Sequence, residues 1–429
     1  MSDRYTLIKN ARIIDTQERA VKDADILINV SLGGIIEEIS PYIKAPADAV
    51  VKRIDAKGHP VCPTFTDLYA HSGEPAYVYR DKISSTLSSA LAGGFGRVVF
   101  FSDMPEGTTE ISLLRYVRTY SAESPCSVYQ AVPFYRRANG VVRLNSFSEL
   151  SSVGGAIFTD YSLATPDSAT LLRAMESCKA HGYRLILRPV ERELYSKGAI
   201  HKGIVSESLR VDGVSFLCEE IAVARTLLVA KETGAEIHLA AISSANSLDM
   251  IRVAKREGVK VTCSVSVNSL SFTENDFYFY GSNVKFAPLL GDDENRKRII
   301  DEIVSGTVDA LCTDHSPCTQ EEKNLPLARA EYGSVTYQTA FSQAVEALVA
   351  PGHIDIFRLV ELLSIKPCEI LGLRALIEKG EVANINIISL DLPNRISEKK
   401  LKSNAKNTPF MGATLTGGVI STIIEGRPL

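Results

Sequence analysis

Apolar positions along this chain follow two different rhythms. From Tyr5 to Asp55 they form short β-rich runs broken by turns: Thr6-Leu7-Ile8, Ala11-Arg12-Ile13-Ile14, Ala24-Asp25-Ile26-Leu27-Ile28 and Ile35-Ile36-Glu37-Glu38-Ile39. No helical period runs through them, so this segment predicts a small β lobe. From about Gly58 the rhythm becomes strand, then helix, repeated. The apolar run Pro60 to Phe65 predicts a short buried strand. Helices are predicted over Ile83–Gly94, Ala169–His181, Cys218–Thr233, Ser247–Glu257 and Asp293–Ser305, several of them closed by a glycine. Strands are predicted at Arg97–Phe101, Leu185–Leu187, Glu236–Leu239, Lys260–Cys263 and Ala310–Cys312.

Alternation of this kind implies parallel strands with helices outside. The number of units fits an eight-fold (β/α)8 barrel of the TIM type better than an open sheet. β character returns from about Gly380, in Asn384–Ile388 and Val419–Ile424, and is expected to complete the first lobe. The fold class is therefore α/β: a barrel over 58–378, with a small β-sandwich lobe built from 1–57 and 379–429. The polar segment Ser397–Lys406 reads as a solvated loop.

Composition narrows the picture. The chain has 429 residues, 45% hydrophobic and 23% charged, with a net charge of −4. Such a balance gives no argument for nucleic acid or an acidic membrane surface. No run approaches the ~18 apolar residues of a membrane span. Met1-Ser2-Asp3-Arg4 lacks the apolar core of a signal peptide. The eight Cys are scattered without a C-x-x-C pair. Free thiols in a reducing compartment are the simplest account, and a cytoplasmic location is expected.

Barrel chemistry sits where strands end. In Thr66-Asp67-Leu68-Tyr69-Ala70-His71, residues two apart share a face, so Asp67, Tyr69 and His71 look into one space. A His at position 69 would complete a His-x-His metal pair, but a neutral phenol is a poor zinc ligand. Seven His occur, at 59, 71, 181, 201, 238, 315 and 353. His71, His238 and His315 fall at predicted strand ends. His71, Asp160 and Asp314 form a weak candidate metal set. Asp314, after the strand Ala310–Cys312, is a candidate general base; its commoner role is a structural acid bonding backbone N–H groups.

These residues resemble the dihydroorotase branch of the amidohydrolase superfamily over nearly the whole chain. Asp67 to Pro75 is similar to D-L-H-x-H-x-R-E-P, and Asp103 to Gly107 to D-M-P-N-T. Thr262 to Leu270 is similar to T-x-E-x-T-P-H-H-L, and Thr313 to Cys318 to T-D-H-A-P-H. The tail Thr408–Gly412 and Leu415–Val419 also fits. The resemblance implies a zinc site of two paired His, a bridging carboxylated Lys or Asp, two further His and one Asp. At those positions the chain carries Tyr69, His71, Asp160, Arg188, Ala241 and Asp314. Three ligand positions, Tyr69, Arg188 and Ala241, are thus lost, and a cation at Arg188 would repel a metal. The resemblance implies a substrate-clamping Arg where Gly73 stands and an Asn where Glu106 stands. The His-His pair is replaced by Asn268-Ser269, and the segment from Lys285 lacks its Asn and Arg.

The expectation is a catalytically inactive dihydroorotase homologue with no secure catalytic or substrate-binding residue and no metal. The resemblance implies, as partner, the catalytic chain of aspartate carbamoyltransferase, within an oligomer, with neither nucleic acid nor membrane involved. One alternative is an active, zinc-dependent hydrolase of cyclic amides using His71, Asp160 and Asp314. Another is a metal-free ligand pocket lined by Tyr69, Arg188 and Glu106.

Overall fold

The computed structural model describes residues 4–46, 49–105, 108–138, 141–160, 167–195 and 198–429. Glu106 and Tyr161, which the sequence places near the site, lie outside these residues. Five strands open the chain: β1 (Arg4–Asp15), β2 (Ala20–Asn29), β3 (Ile35–Ser40), β4 (Val50–Asp55) and β5 (Pro60–Pro63). Three more come from the C-terminal end: β14 (Ile385–Arg395), β15 (Thr414–Ile424) and β16 (Arg427–Pro428). They form a single eight-stranded sheet in the order β16-β15-β14-β5-β1-β2-β3, with β4 alongside β1. The two ends of the chain join at the antiparallel pair β5 and β14, with Asn386 opposite Cys62. Ile8, Ile26, Ile36, Val61, Ile385, Ile387 and Ile423 share one buried cluster beneath the sheet. Neither end has a sufficient apolar face by itself, so each covers the other.

Eight parallel strands make the barrel: β6 (Phe65–Ala70), β7 (Phe95–Phe100), β8 (Ser127–Pro133), β9 (Ile157–Thr159), β10 (Arg184–Leu187), β11 (Ile237–Leu239), β12 (Val261–Ser266) and β13 (Ala310–Cys312). They are hydrogen-bonded in chain order. The first and last meet just past their ends, where Asp314 N donates to Tyr69 O at 3.2 Å and His71 N to His315 O at 2.7 Å. The helices Ser168–His181 and Leu217–Thr233 end at Gly182 and Gly234, with φ of 70° and 65°. A residue with a Cβ is disfavoured in that left-handed conformation, which is why these helices stop there.

Three features depart from the sequence pattern. The run Pro60 to Phe65 is two strands, not one. Pro63 has no N–H to continue the ladder, and Thr64 turns the chain from the lobe into the barrel. β8 and β9 carry too short a periodic signal to be read in advance. The segment Ser397–Lys406 is a loop, but only its Lys and Glu side chains and Asn404 are solvated. Leu401 and Ala405 pack with Val335, Ile396 and Leu415. Ser403 is buried, and its hydroxyl donates to the Asp81 carboxylate.

Candidate functional site at the barrel mouth

β6 is buried along its whole length. Its Asp67 accepts from Thr313 N at 3.1 Å and from the Thr313 hydroxyl, tying the first strand to the last. Burial pushes the Asp67 carboxyl up to about 6, against these bonds. Two residues further, Tyr69 packs in the barrel interior against Phe101, with ring centroids 4.7 Å apart. Its ring also meets His71 edge-on at 5.2 Å. Burial holds the Tyr69 phenol well above its usual range, so it stays protonated.

A cavity of about 250 Å³ opens at the C-terminal ends of the strands. Tyr69, His71, Asp103, Arg188 and Asp314 line it, together with Arg192 and Tyr195 from the short helix Arg192–Tyr195 and Arg80, Glu331 and Tyr332 from loops. Arg188 follows β10 directly and is only 8% exposed. Its Nη1 is 3.7 Å from Glu219 Oε2 and makes no hydrogen bond. Burial works against its charge, and Tyr69, Glu219 and Asp314 more than restore it. Asp314 is 2% exposed, and the Asn268 side chain is a hydrogen-bond neighbour of its carboxylate. Burial raises its carboxyl well above the usual range, with Arg188 pulling the other way. Its backbone has φ of 50°, and Ala241, after β11, has φ of 53°. Non-glycine residues rarely adopt this conformation, and it concentrates at functional strand ends.

The remaining sequence candidates scatter. Asp160 does not line the cavity; its Oδ1 accepts from Arg188 N at 2.7 Å, and burial raises its carboxyl. It holds the backbone of Arg188 in place. Ala241 contributes a methyl group to the barrel interior. His238 is not at the mouth. It sits mid-strand in β11, with Nδ1 3.0 Å from Thr262 Oγ1 and Nε2 3.1 Å from Ser264 Oγ. It borders a different cavity of about 820 Å³, with Arg184 and Glu236 from the starts of their strands. His315 accepts from Thr336 N at 3.0 Å and stacks on Tyr337, away from the cavity. Among the three strand-end histidines, only His71 reaches the mouth. Burial depresses its ring, while Asp103 opposes.

Sequence reasoning missed Arg80, Glu331 and Tyr332, which lie in loops, and Arg192 and Tyr195, which bound a four-residue helix too short to show a period. Arg80 bonds Glu322 at 2.7 Å and faces Glu331 at 3.4 Å, bracing the rim. Two buried lysines hold the segment that carries Glu331 and Tyr332. Lys285 Nζ donates to Leu327 O and Ala330 O, each at 2.7 Å. Lys323 Nζ donates to Glu331 O and Gly333 O, each at 2.9 Å. Burial brings both amines down to about 8.

This donor set does not fit a pair of zinc ions. The mouth presents a protonated phenol and a guanidinium where anionic or imidazole ligands are needed. Among the described residues, no three His, Cys, Asp or Glu side chains gather as metal ligands would.

Residues 165–429 match the amidohydrolase family model. The chain is also 31% identical to a dihydroorotase of Carboxydothermus hydrogenoformans, over 98% of this chain and 96% of that one. The chain belongs to the amidohydrolase family. A dihydroorotase of Staphylococcus epidermidis is likewise 31% identical, over 98% of each chain. The L-hydantoinase structure from Arthrobacter aurescens superposes with a TM-score of 0.85 at 20% identity, covering 100% of this chain and 96% of that one. A D-hydantoinase structure from Thermus sp. gives 0.84 at 19% identity, covering 99% and 94%. At these identities the structures establish the shared barrel-and-lobe fold of this amidohydrolase-family chain. They say nothing of its substrate.

Proposed function

We propose that this amidohydrolase-family chain no longer opens cyclic amides and serves as a structural, non-catalytic subunit. Arg188 carries the proposal. A fixed cation, shielded from water and aimed into the mouth, opposes the divalent ions that would polarise a ring carbonyl and activate water. Tyr69 cannot substitute for a ligand while it stays protonated. The fold around the site is intact, which is what a subunit valued for its surface requires.

The proposed partner is the catalytic chain of aspartate carbamoyltransferase, on the strength of the resemblance to non-catalytic dihydroorotase homologues. Eight buried, unpaired cysteines support a reducing compartment such as the cytoplasm. A second reading, an active hydrolase of cyclic amides with a reduced metal site, draws on the relatives' names and on Asp314 at the mouth. Metal content of freshly purified, undialysed protein, assayed beside dihydroorotate ring-opening, separates the two. Zinc near stoichiometric amounts with turnover would sink the non-catalytic reading. Co-expression with the transferase and size exclusion tests the partner: separate elution, with the transferase fully active alone, removes it.

A further inference from the structure

The barrel floor, at the opposite end from the mouth, carries a charge imbalance of its own. The cavity of about 820 Å³ there is lined by three carboxylates, each taken by a lysine: Asp309 by Lys255, Glu236 by Lys260 and Glu369 by Lys366. Lys179, on the same wall, is spent on the Thr233 carbonyl at 2.6 Å. Arg184 is left over. It opens β10, is half-buried, and its Nε donates to Ile370 O at 3.1 Å. Among the described residues its two terminal nitrogens find neither an acceptor nor a carboxylate. An arginine carries five N–H donors in a fixed fork, so most of this one's are unmet by protein. The fork is also held in place. It lies over Gly372, where a Cβ would fall 1.6 Å from Arg184 Nη2.

A second guanidinium shares the floor. Arg97, on β7, is half-buried; its Nη1 lies 3.7 Å from Cys368 Sγ, and it too lacks a carboxylate among the described residues. Both arginines therefore reach the short helix Lys366–Ile370, which closes the floor. Tyr129, on β8, feels both: burial raises its phenol, while Arg97 and Arg184 pull it back down. Two half-buried cations with no anion between them repel each other, and a bound anion removes that cost.

We propose that the barrel floor binds a phosphate group, as the free ion or as a phosphate monoester. The Arg184 fork donates to two of its oxygens, the planar match that guanidinium and phosphate share, and Arg97 adds a second positive charge from β7. A carboxylate brings one negative charge, whereas a phosphate dianion answers two arginines. The cavity volume lies within the range of small-ligand pockets and leaves room for an ester's organic part. A bound phosphate ties β7 and β10 to the closing helix. The site is independent of whatever the mouth holds.

The probes are inorganic phosphate and adenosine monophosphate, with sodium chloride at matched ionic strength as the control. Calorimetry on the full chain at low salt is expected to show saturable binding of at least one phosphate probe. Arg184→Met should weaken it at least tenfold. Arg97→Met, expected to weaken it at least threefold, provides a second variant if Arg184→Met does not fold. Arg188→Met, at the mouth, should leave the Kd unchanged. Tighter binding of adenosine monophosphate assigns the floor to an ester, and binding of inorganic phosphate alone assigns it to the free ion. No saturable binding of either probe, a response equal to that of chloride, or binding that survives Arg184→Met and Arg97→Met but is lost in Arg188→Met would overturn the proposal.

Discussion

Arg188 and Glu219 face each other across 3.7 Å at the barrel rim, their side chains 7% and 3% exposed. Removing either leaves a charge in a poor medium, but the two losses are unequal. Glu219 keeps its bonds to Ser243 and Ser244 without Arg188. Without Glu219 the guanidinium loses its ion-pair partner and two backbone N–H groups lose their acceptor. Glu219→Ala is expected to cost about 3–5 kcal/mol of stability. Arg188→Met should cost roughly half that or less. Urea unfolding of both variants checks the order.

Gly73 stands where the resemblance implies a substrate-clamping Arg, and the surrounding backbone has closed on it. A Cβ there would lie 2.4 Å from Asp81 O and 2.5 Å from Tyr77 O. Gly73→Ala is expected to destabilise by about 3 kcal/mol, since backbone atoms must move. Gly73→Arg should fail to confer dihydroorotate binding for the same reason, as calorimetry would reveal.

His238 is buried as the neutral ring, which burial brings down to about 3. A lowered folded-state value means that its stability contribution is complete above 6.5 and disappears as pH falls toward 3. The contribution is on the order of 5 kcal/mol. Asp67, raised by burial to about 6, acts in the opposite sense over part of that window. The clean readout is therefore the difference between wild type and His238→Gln. Their stability gap should narrow steadily between pH 6.5 and 4 in denaturant titrations.

Lys323 is 1% exposed and serves as a staple for the segment beside the mouth. A methionine has the length but no donor, so Lys323→Met leaves carbonyls at Glu331 and Gly333 short of a partner. A loss of about 3 kcal/mol is expected. Limited proteolysis should cut between Asn324 and Gly333 faster than in wild type.

Restoring imidazoles tests the lost-ligand argument directly. The triple change Tyr69→His, Arg188→His and Ala241→His is expected to retain about one equivalent of zinc after dialysis. The backbone at 241 already holds the left-handed turn, a conformation His tolerates better than branched residues do. Elemental analysis beside wild type decides it. Equal metal content in the two proteins would show that the side chains at 69, 188 and 241 are not what governs metal binding.

Periodicity made the barrel legible because each strand and helix writes its own face into the local sequence. The lobe was legible because apolar strands at both ends needed mutual cover. β8 and β9 escaped notice because three to seven residues give little period to read. His238 was misplaced because a strand's apolar run does not mark which of its residues reaches the mouth.

The residue types at 69, 188 and 241 are given by the sequence alone, and with them the absence of imidazole at those positions. Only the tertiary structure decided that Arg188, Asp314 and Tyr195 meet around one cavity, while Asp160 and His315 turn elsewhere. Local spacing sets the side of a strand on which a residue lies. Which strand ends and loops converge, and which donors there find acceptors, is settled by long-range packing, which no stretch of neighbouring residues encodes.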